Sequence, residues 1–409
     1  MALAAAGATA LAAWLACLAD PARAWSFRPI AEAAPPPPAP SRWPSVRIVV
    51  PARDEAGVLP ETLPALLAQE YRGEWAVVLV DDRSTDGTAE VARVVAAAAA
   101  ASATGAGPAP LEVITGAPLP AGWAGKVWAL AQGVDAAGAC DYVLLTDADI
   151  RHAPGSLARL VAESEADGLV LNSRMARLRC ESAAERLLVP PFVLFFNLLY
   201  PMRRVNDPAS RAAAAAGGCV LVRRDALAAA GGLAAIRGEI IDDVNLGRAL
   251  KGAVGRGTRC WRGAPGRAAA PGRPIRLQLS RSDVVSVRPY RTVGPIWRMV
   301  RRTAFTELRH SYPLLAVAVA GLLLLFALPP ALVPIGAGVA ATGRAGWGTL
   351  LAGLGAAGWL ATAAVAWRAT RFFGLSPAWA FTLPLAGVLY GGMTLDSGRV
   401  HLLGRRRAW

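Results

Sequence analysis

Short apolar runs alternate with helical segments over the first half of the chain. Four runs predict strands: Val46 to Val50, Trp75 to Val80, Leu111 to Ile114 and Tyr142 to Leu145. A helical pattern from Leu59 to Gln69 separates the first two, and the turn at 84–87 precedes an alanine-rich helix. This alternation predicts an α/β fold with a mostly parallel, doubly wound sheet. Because ligands of such sheets bind beyond the carboxyl ends of the strands, functional residues are expected just after each strand.

Long apolar segments lie near both ends of the chain. Residues 2–19 are almost wholly apolar and arginines follow them, which favours a membrane anchor with the next domain in the cytoplasm over a cleaved signal peptide. Three later segments predict membrane helices: Leu314 to Ile335, Trp347 to Trp367 and about Ala378 to Met393. The third is marginal. The arginines at 405–407 would lie outside after three crossings, so an interfacial or re-entrant third segment stays open.

These patterns divide the chain into six predicted regions. They are an N-terminal anchor at 1–20, a proline-rich linker at 21–44, a catalytic domain at 45–290, a basic amphipathic interfacial helix at 291–312, two or three membrane helices at 313–395 and a basic tail at 396–409. The predicted location is therefore a membrane crossed several times, with a cytoplasmic catalytic domain.

Composition changes this prediction little. The net charge is +14 and arginine supplies nearly all of it, since lysine occurs only at Lys126 and Lys251. Such a charge suits anionic lipid headgroups or phosphate-bearing substrates, and no nucleic-acid motif accompanies it, so a nucleic-acid partner is not expected. The five cysteines are scattered without metal-ligand spacing, and the three histidines are isolated.

Two aspartates follow the fourth predicted strand, in the sequence Asp147-Ala148-Asp149. Residues two apart on an extended backbone point to one side, so both carboxylates can face one hard cation. A divalent ion there, Mg²⁺ or Mn²⁺, would bridge a diphosphate and neutralise charge on the leaving group. Asp147 is accordingly expected to face the donor as well as the metal.

A glycine-containing loop opens a helix at residues 122–131. Its cation, Lys126, could reach a phosphate that also meets the helix amides. A solvated lysine is the alternative interpretation.

Two further stretches contain the ends of the first and second predicted strands and the residues after them. They are Ile48 to Glu55, and Val78 to Thr88 with the pair Asp81-Asp82. They resemble the strand ends of family 2 glycosyltransferases, which have the GT-A fold. The resemblance implies contacts to a nucleotide diphosphate sugar by Pro51, Ala52, Glu55, Asp81 and Asp82. Ser84 and Asp86 are expected to order the loop instead.

The segment from Gly238 to Gly247 resembles the catalytic acidic motif of the same family, with aspartate in both acidic positions. The resemblance implies that Asp243, after Asp242, is the general base that deprotonates the acceptor hydroxyl, with inversion at the anomeric carbon. The alternative is that the pair only complements a helix N-terminus. Upstream, Gly217 to Arg224 resembles the small-residue strand of the acceptor site.

The region after the proposed base departs from the processive polysaccharide synthases of this family. Residues 296–309 lack a Gln-x-x-Arg-Trp motif and are instead basic and amphipathic, which suits either a helix on a membrane surface or one packed on the protein. The apolar run at 187–200 is predicted to be too short to span a membrane, and is either a membrane-dipping element or a core helix.

The loop at 120–126, the run Pro190-Pro191-Phe192-Val193 and the sequence Ile241-Asp242-Asp243 together resemble the hopene-associated glycosyltransferases of bacterial hopanoid biosynthesis. This implies a hopanoid-like or other lipid acceptor. The sequence thus predicts a membrane-bound, metal-dependent, inverting hexosyltransferase. The alternatives are a polysaccharide-synthesising transferase and a non-catalytic membrane scaffold with the same fold.

Overall fold

The computed structural model describes residues 1–28, 37–102, 109–255 and 274–404. The chain forms two compact units. The helical unit comprises Met1–Phe27, Cys180–Arg203 and the described residues from Pro289 onward, and the sheet unit comprises the described residues of Arg28–Arg179 and Arg204–Arg288. Part of the proline-rich linker lies outside the described residues. Residues 180–203, which the predicted boundaries assign to the catalytic domain, group with the apolar helices instead.

The described residues of the sheet unit form nine strands: β1 Val46–Ala52, β2 Trp75–Asp81, β3 Leu111–Thr115, β4 Tyr142–Thr146, β5 Ile150–His152, β6 Leu171–Met175, β7 Cys219–Arg223, β8 Ile275–Leu279 and β9 Val284–Ser286. Seven of them form one sheet in the order β3-β2-β1-β4-β7-β6-β8, while β5 and β9 form a separate antiparallel pair. All four strands predicted from the sequence are present.

The sheet is mostly parallel, as predicted, and β7 is the exception, since it runs antiparallel to both β4 and β6. The central strand β1 is buried along nearly its whole length because helices cover both faces of such a sheet. The carboxyl ends of β1, β2 and β4 therefore meet at one edge, which is where the sequence placed its candidate residues.

The helices of the sheet unit are Leu59–Leu67, Thr88–Ser102, Gly125–Ala136, Ser156–Asp167, Arg224–Ala229 and Asp242–Gly255, with a 3₁₀ turn at Leu233–Ile236. The helix Gly125–Ala136 packs closely on β1 and β2. A Cβ at Gly133 would lie 2.4 Å from Cγ1 of Val49 and 2.8 Å from Cγ2 of Val80, so only glycine allows this approach. The packing sets the position of the loop that carries Lys126.

The helical unit contains the helices Ala2–Ala19, Ala183–Leu199, Val293–Glu307, Tyr312–Leu322, Leu328–Ala341, Ala345–Phe372 and Leu383–Leu402. A π-helical turn at Leu323–Ala327 joins two of them, 3₁₀ turns lie at Ala24–Ser26 and Pro377–Thr382, and the short helix Met202–Val205 crosses the boundary between the units.

Five helical segments in the described part of the chain are long and apolar enough to cross a membrane: Ala2–Ala19, Ala183–Val205, Tyr312–Ala341, Ala345–Phe372 and Pro377–Leu402. This corrects two expectations. The apolar run at 187–200 belongs to a segment of 23 residues, so the prediction that it is too short to span is wrong by length. The third C-terminal segment is 26 residues long and is not marginal.

The basic amphipathic segment forms the helix Val293–Glu307, which packs within the helical unit. Ile296, Val300 and Phe305 are buried, while Arg298 and Arg302 are exposed. Trp297 donates from Nε1 to Asp396 Oδ2 over 2.9 Å, and Arg301 also contacts this carboxylate. One face is therefore tied to the helix Leu383–Leu402 and the opposite face keeps its arginines.

Candidate active site

The carboxylates of the Asp147-Ala148-Asp149 motif, just beyond β4, have different partners. Asp147 Oδ1 lies 2.6 Å from Nζ of Lys126, whereas Asp149 Oδ2 lies 3.2 Å from Nε of Arg288. The backbone between them is fixed, because Thr62 Oγ1 donates to the carbonyl of Ala148 over 2.7 Å. The motif thus joins two clusters of charged side chains.

The first, here called the Lys126 cluster, consists of Lys126, Asp147, Asp242 and Asp243. Lys126 Nζ lies 3.6 Å from Oδ2 of Asp242 in addition to its contact with Asp147. Although burial acts to lower the pKa of Lys126, the surrounding carboxylates raise it above its ordinary value, so the lysine stays charged. Three carboxylates therefore share one cation. For Asp147, burial outweighs the attraction of Lys126 and raises the pKa.

Asp243 lies in the first turn of the helix Asp242–Gly255, and its carboxylate is held by two backbone amides. Gly217 N donates to Oδ2 over 2.8 Å and Val244 N to Oδ1 over 2.7 Å. Burial and repulsion from Asp242 nevertheless raise the pKa of Asp243 to about 7, against the opposing effect of Lys126. Asp243 is therefore a fixed carboxylate that can accept a proton near neutral pH.

A glycine is required beside this carboxylate. A Cβ at Gly217 would lie 3.1 Å from Nζ of Lys126 and 3.5 Å from Oδ2 of Asp243. The Lys126 cluster also lines a cavity whose remaining walls are largely apolar. Its lining includes Leu130, Leu145, Val220, Leu233, Ile236 and Leu246. An apolar wall beside a carboxylate is the environment that raises its proton affinity.

The second group, here called the Arg288 cluster, consists of Arg288, Asp149, Glu55 and Ser286. Arg288 Nη2 lies 2.5 Å from Oε1 of Glu55, while Nε contacts Asp149. Ser286 Oγ donates to the same Oδ2 of Asp149 over 2.7 Å. Burial raises the pKa of Glu55, although Arg288 opposes this.

Sequence reasoning missed Arg288 and Ser286. Neither belongs to a recognisable motif, and they reach the site because β9 pairs with β5, with Ser286 opposite Ile150. The carbonyl of Asp149 then accepts a hydrogen bond from Val287 N over 2.9 Å. This long-range pairing, between residues 150–152 and residues 284–286, brings Arg288 to Asp149.

The residues expected to contact the nucleotide form a third group at the ends of β1 and β2. Ala52 pairs with Asp81, and Asp82 N donates to the carbonyl of Ala52 over 2.8 Å. Both aspartates are largely buried, and Arg53 Nη1 lies 3.4 Å from Oδ2 of Asp82. Pro51 lies in β1 opposite Val80.

The loop after β2 is ordered by its own polar side chains. Ser84 Oγ accepts from Asp54 N over 2.9 Å, and Asp86 Oδ2 accepts from Ala56 N over 3.0 Å. Thr88 Oγ1 accepts from Glu55 N over 2.8 Å, which fixes the backbone that carries Glu55. Ser84 and Asp86 therefore join the loops after β1 and β2.

A buried chain of polar side chains lies next to the aspartate motif and includes His152, for which no role was predicted. Thr146 Oγ1 contacts His152 Nε2 at 2.8 Å and donates to the carbonyl of Gly218 over 2.7 Å. His152 continues to Ser156, whose hydroxyl donates to Gln69. Burial lowers the pKa of His152 to about 4, so the ring is neutral and links β4 to β5 structurally.

Comparison with known proteins shows which proteins the chain resembles. Residues 47–231, slightly less than half of the chain, match the family described as Glycosyl transferase family 2. This part of the chain is therefore similar to family 2 glycosyltransferase domains, and the sheet topology agrees with the GT-A fold. No curated protein matches the sequence significantly.

Solved structures with similar folds include a mannosyltransferase from Pyrobaculum calidifontis in complex with GDP-Man and Mn²⁺. It is 20% identical, with a TM-score of 0.55 over 99% of this chain and 100% of that chain. Glucosyl-3-phosphoglycerate synthase from Mycobacterium tuberculosis, in complex with Mn²⁺ and UDP-glucose, is 17% identical, with a TM-score of 0.38 over 65% of this chain and 78% of that chain. The likeness to the mannosyltransferase structure confirms the fold predicted from the sequence.

Proposed function

We propose that the sheet unit transfers a sugar from a nucleotide diphosphate sugar to an acceptor hydroxyl, with Asp243 as the general base. The observation that carries this proposal is the position of Asp243 in one cluster with Asp147 and Lys126, at the edge where parallel sheets bind ligands. A pKa raised to about 7 gives Asp243 the proton affinity that a base needs at neutral pH.

The donor nucleotide binds at the ends of β1 and β2 in this proposal. The walls and polar groups of the nucleotide pocket are supplied by Pro51, Ala52, Asp81 and Asp82. Glu55 joins this pocket to the Arg288 cluster, to which it belongs. Lys126 contacts the donor phosphate side, since it is charged and partly exposed at the N-terminus of the helix Gly125–Ala136.

The side chains at this edge fit a hard divalent cation. Asp147 and Asp149 offer the carboxylate oxygens that Mg²⁺ and Mn²⁺ prefer, and each already binds a side-chain cation. Among the described residues, no group of three or more acidic, histidine or cysteine side chains is arranged to hold a metal. The donor diphosphate would therefore supply further ligands. A bound metal would neutralise negative charge on the leaving diphosphate.

The proton follows one path in the proposed reaction. The acceptor hydroxyl gives its proton to the Asp243 carboxylate while its oxygen attacks the anomeric carbon, and the bond to the nucleoside diphosphate breaks. One displacement inverts the anomeric configuration. Asp242 assists by repulsion, because its negative charge raises the pKa of Asp243.

We further propose that the acceptor is a membrane lipid alcohol, of the hopanoid class or similar to it, and that the protein is a multi-pass protein of the bacterial inner membrane with a cytoplasmic catalytic domain. The five apolar helical segments in the same chain support a membrane location. The resemblance of the 120–126 loop and of Ile241-Asp242-Asp243 to hopene-associated glycosyltransferases supports the hopanoid class.

The test uses the full chain, purified in detergent, with labelled GDP-mannose and a panel of UDP-sugars, Mn²⁺ and lipid extract. A labelled lipid-soluble product that Asp243→Asn abolishes is the expected result. Asp225→Asn is the matched control, because Asp225 also lies in the first turn of a helix and accepts from the next backbone amide over 2.7 Å. Polymeric product would indicate polysaccharide synthesis, and no turnover with any donor would indicate a scaffold.

A further inference from the structure

Arg288 occupies the two carboxylates that the proposed donor and metal need. Its guanidinium contacts Asp149 through Nε and Glu55 through Nη2, and its side chain is still 37% exposed. Asp149 and Glu55 are much less exposed, at 12% and 14%. A partly exposed cation thus contacts two largely buried carboxylates.

Oδ2 of Asp149 already has two side-chain donors, because it accepts from both Ser286 and Arg288. A divalent cation at this carboxylate competes with these donors, and its electrostatic gain is reduced because Arg288 already supplies a positive charge. Asp147 is in the same situation, since Lys126 lies 2.6 Å from its Oδ1.

A displaced guanidinium needs a new anionic partner. Arginine binds diphosphate oxygens through the same paired N–H groups that it uses for carboxylates, and the side chain of Arg288 is 37% exposed. The diphosphate of the donor is the anion that the proposed reaction brings to this edge.

We propose that Arg288 is an exchangeable counter-cation, which neutralises Asp149 and Glu55 before the donor binds and moves to the donor diphosphate when the metal binds. This rests on the proposed function. Metal and nucleoside diphosphate then bind with positive coupling, because the diphosphate stabilises the arginine that the metal displaces. Coupling is reciprocal, so each ligand tightens the binding of the other by the same factor.

A purely structural role for Arg288 makes a different prediction. If the guanidinium only joins the end of β9 to the loop after β1, its removal loosens that loop and weakens metal binding. If Arg288 competes with the metal, its removal strengthens metal binding in the absence of nucleotide. The sign of the change separates the two roles.

The experiment measures Mn²⁺ binding to the detergent-purified full chain by electron paramagnetic resonance, with and without saturating GDP or UDP. Arg288→Gln is compared with Arg151→Gln. The control is matched, because Arg151 lies in the same β5–β9 pair, opposite Val285, and forms an exposed ion pair with Glu61 at 3.3 Å. Arg288→Lys, which keeps the charge but not the paired donors, is the second variant.

We expect Arg288→Gln to bind Mn²⁺ alone about tenfold more tightly than the unaltered chain, and to lose most of the coupling to nucleotide, which is typically about 5–150-fold between linked sites. Arg288→Lys should lie between the two, and Arg151→Gln should match the unaltered chain. The proposal is overturned if Arg288→Gln binds Mn²⁺ alone with equal or lower affinity while keeping the unaltered melting temperature.

The two proposals fail in distinguishable ways. If the unaltered chain binds no Mn²⁺ even with nucleotide, the metal-dependent function is wrong and the exchange falls with it. If the unaltered chain binds Mn²⁺ and nucleotide but neither Arg288 variant changes their coupling, only the exchange is wrong. If Arg288→Gln has a lowered melting temperature, Arg288→Lys is used in its place. Unaltered coupling between Mn²⁺ and nucleotide in Arg288→Lys would then contradict the exchange proposal.

Discussion

The Lys126 cluster and the Arg288 cluster neutralise the two aspartates of one motif in different ways. In the Lys126 cluster one cation serves three carboxylates beside an apolar wall, and Asp243 is left with a pKa raised to about 7. In the Arg288 cluster one guanidinium serves two carboxylates, and Ser286 adds a hydrogen bond to Asp149. The larger excess of carboxylates in the Lys126 cluster supports the proposed proton transfer, and the smaller excess in the Arg288 cluster supports the proposed ion exchange.

Removal of the proposed base should give the largest effect. Asp243→Asn keeps the side-chain volume but cannot accept the acceptor proton, so kcat should fall about 10²- to 10⁴-fold. Transfer of labelled sugar to lipid measures this. Asp225→Asn, the matched variant, should retain full turnover. An unaltered kcat in Asp243→Asn would mean that another group is the base. The Lys126 cluster would then have no special role in proton transfer.

Loss of the cation in the first cluster should give the next largest effect. Lys126→Met removes a charged contact to Asp147 and, in the proposal, to the donor phosphate, so kcat/KM for the donor should fall about 10- to 100-fold. Initial rates over a range of donor concentrations measure it. Lys126→Arg should restore part of the loss. If Lys126→Met leaves kcat/KM unchanged, Lys126 does not contribute to donor binding and its role is confined to the ion pair with Asp147.

The pH dependence should report Asp243 directly. Because the base acts in its deprotonated form and its pKa is raised, kcat/KM should be constant above about pH 7 and fall about tenfold per pH unit below it. Asp242→Asn removes the repulsive charge that contributes to the raised pKa, so the fall should move to lower pH. Between pH 5 and pH 7, kcat/KM should therefore change about a hundredfold. A profile that is flat between pH 5 and pH 8 at constant ionic strength would contradict the assignment of Asp243 as the base.

The polar chain behind the motif should contribute stability to both clusters. Thr146→Val leaves the ring nitrogen of His152 and the carbonyl of Gly218 without this hydroxyl, at a cost of about 1–3 kcal/mol. Thermal unfolding of the detergent-purified chain should show a melting temperature lower by a few degrees. Thr349→Val, an exposed threonine bonded within its own helix, is the control. Equal melting temperatures would mean that this chain contributes little to stability.

The sequence predicted the sheet well because strand formation there depends on local pattern. The runs at 46–50, 75–80, 111–114 and 142–145 are apolar and bounded by turn residues, and each became a strand. Residue spacing also placed Asp147 and Asp149 beyond β4, and it placed Asp242 and Asp243 at the start of a helix.

The sequence was less successful for the helix Ala183–Leu199. The apolar run at 187–200 was predicted to be too short to span a membrane. The helix in fact begins several residues before this run, because Ser182 and Glu185 form a capping box at its N-terminus. Its grouping with the apolar helices of the helical unit depends on tertiary contacts, which no local pattern encodes.

By itself, the sequence determined four strands between residues 46 and 145 with the helices between them, the acidic motifs and the apolar segments, because these depend on periodicity and residue type over short windows. Only the tertiary structure decided which cation neutralises which carboxylate. Arg288 reaches Asp149 through the pairing of β5 with β9, and Asp243 reaches Lys126 and Gly217 across separate loops. Electrostatic interactions depend on distances of a few ångströms and on burial, which the folded chain alone defines.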